Sequence, residues 1–168
     1  MRIAREVATS LRSSGMTLAL AESITGGLVA SRLTDVPGAS SFLLLGVVAY
    51  SDASKRDVLG VSHRTIQERG AVSAEAALEM AEGVRLLAGA DLGASCTGIA
   101  GPTGATKDKP LGLVYLACVG EGYERMERMT FEGGRLQVKE RACSRLLLMV
   151  KEAAEVYGGR GRRKGDGE

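Results

Sequence analysis

Apolar and polar residues alternate between two periods along this chain, and the switches between them mark its elements. Ile3, Val7 and Leu11, with Ala4 and Ala8 beside them, form a helical stripe that stops at Gly15. "MTLALAES" is an apolar run of strand length. "GGLVASRLTDVPGAS" reads as a helix with Pro37 and Gly38 beyond its end. "SFLLLGVVAYS" is apolar nearly throughout, the pattern of a strand buried on both faces. Ser51 and Asp52 are good caps, so "SDASKRDVLG" predicts a short helix ended by Gly60. A further helix is expected over "SAEAALEMAEGVRLLAGA", capped by Ser73. "DLGASCTGIAGPTG" then predicts a strand running into a glycine-rich loop, and "PLGLVYLACVG" another strand. "YERMERMTF" alternates as a strand with one solvated face does, and "RLQVKERACSRLLLMVKEAAEVY" closes the chain as a long helix. Helices and strands alternating without a repeat or linker give an α/β sandwich with one core.

The 168 residues are one domain's worth, 45% hydrophobic and 25% charged, as in ordinary globular proteins. A net charge of +2 is too small to point to nucleic acid or to an anionic membrane. No apolar run approaches the roughly 20 residues of a membrane span, and the first residues lack the apolar stretch of a signal peptide. Cys96, Cys118 and Cys143 are odd in number and widely spaced, which fits buried thiols in a reducing cytosol and predicts a cytoplasmic protein. The domain is expected to span residues 1–157. The tail from 158 to 168, "GGRGRRKGDGE", has the composition of a disordered, solvated segment more than of a nucleic-acid contact.

Two glycine-bearing turns follow strands, "ESITGG" and "TGIAGPTGATKDKPLG", where open α/β sheets bind ligands. Neither fits a P-loop or a G-x-G-x-x-G pattern, so spacing alone leaves phosphate binding and a structural turn both open. Ser23, between the first strand and its glycines, is either a helix cap or a nucleophile. A nucleophilic serine needs a base. The lone histidine, His63, sits beside a helix start, more often a surface or capping position. Lys55 lies in the first turn of its helix, where the dipole and burial both favour a neutral amine able to take a serine proton. Tyr50 can relay that proton or hold the amine, and the alternative is a solvated lysine beside a core tyrosine.

Taken together, "AESITGGLVASRLTDVPGAS", "GVVAYSDASKRDVLGV", "GAVSAEAALEMAEG" and "TGIAGPTGATKDKPLGLVY" resemble the CinA C-terminal family in content and order, from about Ile3 to Val156. That family includes the nicotinamide-nucleotide amidohydrolases. The resemblance implies a three-layer α/β/α sandwich with a mixed sheet. It also implies hydrolysis of the carboxamide of nicotinamide mononucleotide to nicotinate mononucleotide and ammonia, without metal or cofactor. By motif, Ser23 matches the nucleophile, Lys55 the general base and Tyr50 the tyrosine assisting them. Thr97, Gly98 and Gly101 match the loop lining the nucleotide site, and Thr25, Gly26 and Gly27 sit where backbone N–H groups would hold the oxyanion. The implied partners are this substrate and further copies of the chain, as a homodimer or larger, with no membrane or nucleic acid. This chain departs from common family residues at Ile24, Asp52 and Ala105. Ile24 should point away from the site if its segment is extended, and Asp52 should raise the Lys55 pKa.

Overall fold

A computed structural model describes residues 2–161, and side chains as far as residue 157. The chain runs α1 (Arg2–Ser14), β1 (Leu18–Glu22), α2 (Leu28–Thr34), a 3-10 turn (Ala39–Ser41), β2 (Leu43–Val48), α3 (Asp52–Leu59), α4 (His63–Glu68), α5 (Ala74–Ala88), β3 (Leu92–Gly98), β4 (Leu113–Gly120), β5 (Tyr123–Thr130) and α6 (Arg135–Gly161). The caps act as the sequence predicts. The Ser51 hydroxyl accepts the Ser54 N–H at 3.0 Å while the Ser54 hydroxyl accepts the Ser51 N–H at 3.1 Å. Ser73 accepts the Ala76 N–H at 3.2 Å. α6 extends four residues past the expected domain end at 157, and the rest of the predicted tail lies outside the described residues.

The five strands form one mixed sheet in the order β2-β1-β3-β4-β5. β2, β1 and β3 are parallel; β4 runs antiparallel to β3, and β5 antiparallel to β4. Side-chain alternation splits the core in two. Leu18 and Leu20 of β1, Leu92 and Cys96 of β3, and Leu116 of β4 face α1, α2 and α6. Ala19 and Ala21 of β1 face α3 and α5 on the other side. Small residues there let α5 lie close. A Cβ on Gly93 would stand 2.0 Å from the Ala81 carbonyl oxygen, and one on Gly83 would stand 1.8 Å from that of Leu59.

One expectation is corrected. β2 is not buried on both faces: it is an edge strand, half-buried at Leu43, Leu45 and Val47 and exposed at Leu44, Gly46 and Val48. An edge strand of a layered sheet has less covering it than a central one, so apolar content did not report burial here. The solvated face expected of β5 is present, with Glu124, Met126, Arg128 and Thr130 exposed in alternation. Among the described residues no helix is long and apolar enough to cross a membrane, and all three cysteines are buried free thiols.

Candidate functional site

Because β1, β2 and β3 are parallel, their C-terminal ends share one edge of the sheet, and the connections leaving them meet there. Ser23 follows β1, while Tyr50 and the helix carrying Lys55 follow β2. A cavity of about 250 Å³ lies among them, lined by Ser23, Ile24, Tyr50, Asp52, Lys55, Ala71, Val72, Thr97, Gly98, Ala100 and Arg135. A larger groove, about 570 Å³, lies between α5 and the β4–β5 turn, but it offers carboxylates such as Glu79 and Glu124 and no nucleophile with a base.

The Lys55 amine lies 3.2 Å from the Ser23 hydroxyl and donates to the Ala49 carbonyl at 2.9 Å. Both side chains are buried, Lys55 to 2% exposure and Ser23 to 8%. Burial pushes the Lys55 amine below its ordinary value of 10.5, while the Asp52 carboxylate and, less strongly, Cys96 pull it back up. A neutral Lys55 reverses the contact: the serine O–H then donates to the amine lone pair. Cys96 lies beneath this pair, and burial pushes its thiol up to about 11, so it stays protonated at neutral pH and is no competing nucleophile.

The first glycine turn is built differently from expectation. Glu22, the last residue of β1 and 1% exposed, folds its carboxylate over the start of α2. It accepts from the Thr25 hydroxyl at 2.6 Å and from the backbone N–H groups of Gly27 at 3.0 Å, Val29 at 3.1 Å and Ala30 at 2.8 Å. Gly26 and Gly27 adopt left-handed φ values of 63° and 94°, which only glycine takes without strain. The Gly26 N–H donates to the Ser23 carbonyl at 3.2 Å. Thr25, Gly26 and Gly27 are therefore absent from the cavity wall, and the Gly26 and Gly27 N–H groups are engaged inside the turn rather than aimed at an oxyanion. Ile24 is also corrected. Residues 23–27 form a turn, so strand alternation does not apply, and Ile24 lines the cavity.

Thr97 and Gly98, at the end of β3, both line the cavity, and the Thr97 hydroxyl donates to the Ala71 carbonyl at 2.8 Å. A Cβ on Gly98 would stand 2.5 Å from the Leu113 carbonyl oxygen and 2.9 Å from Ile24 Cδ1, so the wall there admits no side chain. Gly101 lies behind the wall; its carbonyl accepts from Arg135 Nη1 at 2.9 Å. Tyr50 is 61% exposed, and its hydroxyl accepts from Arg135 Nη2 at 2.7 Å. The amine is thus held by the Ala49 carbonyl, and the Tyr50 hydroxyl by Arg135. His63 is exposed at the start of α4 and is not part of the cavity wall. Arg135 is the site residue that sequence reasoning missed. Its signal was a cation in the first position of a helix, where the macrodipole disfavours positive charge unless something else holds it.

A buried serine–lysine pair at the carboxyl edge of a three-layer α/β/α sandwich defines the class of this protein. A family model, "CinA C-terminal domain", matches residues 1–154. A CinA-like protein of Syntrophotalea carbinolica is 47% identical over 156 residues, covering 92% of this chain and 38% of that protein. A putative competence-damage inducible protein of Caldanaerobacter subterraneus is 48% identical, covering 86% of this chain and 35% of that one. The chain thus spans about a third of the length of these curated relatives. Among solved structures, the competence/damage inducible protein CihA of Agrobacterium tumefaciens superposes with a TM-score of 0.88 at 36% identity, covering 91% of this chain and 93% of that one. A CinA superfamily protein of Klebsiella pneumoniae gives 0.88 at 35% identity, covering 91% and 96%. The chain belongs to the CinA C-terminal domain family.

Proposed function

We propose that this chain hydrolyses the carboxamide of nicotinamide mononucleotide to nicotinate mononucleotide and ammonia. The observation that carries the reading is the Lys55 amine, 2% exposed and 3.2 Å from the Ser23 hydroxyl. Neutral Lys55 takes the serine proton as Oγ attacks the carboxamide carbon, forming a C–O bond and moving the carbonyl electrons onto oxygen. Collapse of the tetrahedral species breaks the C–N bond, and the Lys55 ammonium gives its proton to the departing ammonia. Water then attacks the acyl-serine, Lys55 again accepts and returns a proton, and nicotinate mononucleotide leaves. Arg135, the cation in the cavity wall, faces the anionic charge of the substrate.

The direct test is ammonia release from nicotinamide mononucleotide by the wild-type chain and by Ser23→Ala. Losing the nucleophile costs orders of magnitude in rate. The variant should fold, bind the nucleotide and release no ammonia; release within about tenfold of wild type would remove Ser23 as the nucleophile.

A second reading, a nucleotide-binding module with weak turnover, is favoured by Asp52, whose charge works against a neutral Lys55. It expects nucleotide binding by calorimetry without ammonia release. In either case the protein acts in the cytoplasm and assembles with itself. The uncharged edge strand β2, open at Leu44 and Val48, supports that assembly.

A further inference from the structure

We propose that Glu22 is a positioning residue for Ser23: its buried carboxylate locks the turn that aims the serine hydroxyl at Lys55. The inference rests on the reading of Ser23 as nucleophile. An ordinary N-cap belongs to the residue at the helix boundary and satisfies one or two N–H groups. Glu22 does something else. It lies five residues before Gly27, at the end of β1, and reaches across the turn to take three backbone N–H groups from Gly27, Val29 and Ala30. The strand end and the helix start are thereby tied together, with Ser23 inside the loop so closed.

Further contacts fix the Ser23 backbone and leave its hydroxyl to Lys55. Its N–H donates to the Cys96 carbonyl at 3.0 Å, extending the β1–β3 ladder by one residue. Its carbonyl accepts the Gly26 N–H at 3.2 Å. The Thr25 hydroxyl, which donates to Glu22, also lies 2.9 Å from Cys96 Sγ and so anchors the turn to β3. Only the Ser23 hydroxyl faces the cavity. A buried carboxylate with four donors is costly to disturb, because any movement strands either the charge or the donors. The same carboxylate occupies the positive end of α2, so that helix end is neutralised by Glu22 and unavailable to a substrate anion.

Glu22→Gln keeps the shape but presents an NH₂ group to some of the N–H donors, loosening the turn without opening a cavity. A displacement of about an ångström at a reacting group can cost about 100-fold in rate. The expected result is a kcat lower by about 10- to 100-fold with KM within about twofold, measured at 25 °C on protein whose folding is checked by circular dichroism. A merely structural Glu22 would lower the melting temperature and leave kcat per folded molecule unchanged.

The second readout does not depend on the substrate. An alkyl fluorophosphonate phosphonylates an activated serine: the P–O bond forms, the P–F bond breaks, fluoride leaves and Lys55 takes the serine proton. Labelling at Ser23 should be slower in Glu22→Gln by the same factor as kcat. Wild-type protein that is not labelled at Ser23 would sink the nucleophile reading itself. Wild-type labelling matched within about twofold by Glu22→Gln overturns only the positioning role. If Glu22→Gln does not fold, Thr25→Val decides. It removes one donor and the Cys96 link but keeps the carboxylate, and labelling within about twofold of wild type refutes the proposal.

Discussion

Replacing Lys55 by methionine tests the base and the cost of burying it in one experiment. Methionine is close to lysine in length and volume, so the pocket that hides Lys55 to 2% exposure is not emptied. What disappears is the amine, with its contacts to Ser23 at 3.2 Å and to the Ala49 carbonyl at 2.9 Å. A general base contributes about 100- to 10,000-fold, so kcat for ammonia release should fall by at least the lower figure. Stability receives two opposing changes. The Ala49 carbonyl loses its donor, at about 1–3 kcal/mol, while the penalty for a buried amine that would rather be charged is removed. The net should stay within about 2 kcal/mol, a melting shift of no more than about 8 °C for a chain of this size. The signature is the pH dependence. In wild type, stability rises with pH between the lowered Lys55 value and 10.5, since there the unfolded chain binds a proton that the folded one lacks. Thermal unfolding of Lys55→Met followed across that window should lack this rise. Lys55→Arg keeps a charge that never leaves and should be equally inactive. A Lys55→Arg enzyme with kcat/KM within about tenfold of wild type would refute the Ser–Lys mechanism.

Asp52→Asn removes the carboxylate that raises the Lys55 pKa, so the rising limb of kcat/KM against pH should move to lower pH; a limb that stays or moves up contradicts the assignment. Gly83→Ala drives a Cβ to 1.8 Å from the Leu59 carbonyl and should destabilise by at least the about 1–3 kcal/mol typical of overpacking, read as a lower melting temperature. Nicotinamide mononucleotide should bind far more tightly than free nicotinamide in calorimetry, because Arg135 has a phosphate to face only in the nucleotide. Equal affinities would remove the nucleotide from the reading.

Elements with a clean period were legible in the sequence, because local spacing and capping chemistry determine them: the stripe Val7–Leu11, the Ser51 and Ser73 caps, the alternating β5. Burial of β2 was not, because apolar content fixes what a strand can bury and strand order decides what covers it. Spacing alone left Ser23 open as a cap or a nucleophile and Lys55 open as a base or a solvated amine; the family motifs they match pointed to their meeting, and the structure sets them 3.2 Å apart. The inward turn of the Gly27 N–H group was not legible. It depends on where the Glu22 carboxylate goes, and a glutamate at a strand end reads equally well as solvated.

Arg135 was the harder case, and the mixed sheet explains why it reaches the site. β1, β2 and β3 end at one edge of the sheet, and β4 starts there, with Val114 opposite Gly98, and runs away. A chain that stopped after β4 would leave α6 to begin at the far edge. β5 reverses again, with Thr130 opposite Leu113, and so returns the chain to the cavity edge before Arg135 opens α6. The antiparallel hairpin is therefore a delivery device as well as an extension of the core. It lets a residue 112 positions from Ser23 and 80 from Lys55 close the same cavity, through hydrogen bonds to Tyr50 and Gly101 that brace both connections. No periodicity reports such a meeting, because it depends on strand direction. The parallel half of the sheet supplies Ser23 and Lys55 to the cavity, and the antiparallel half brings the Arg135 cation to the same wall.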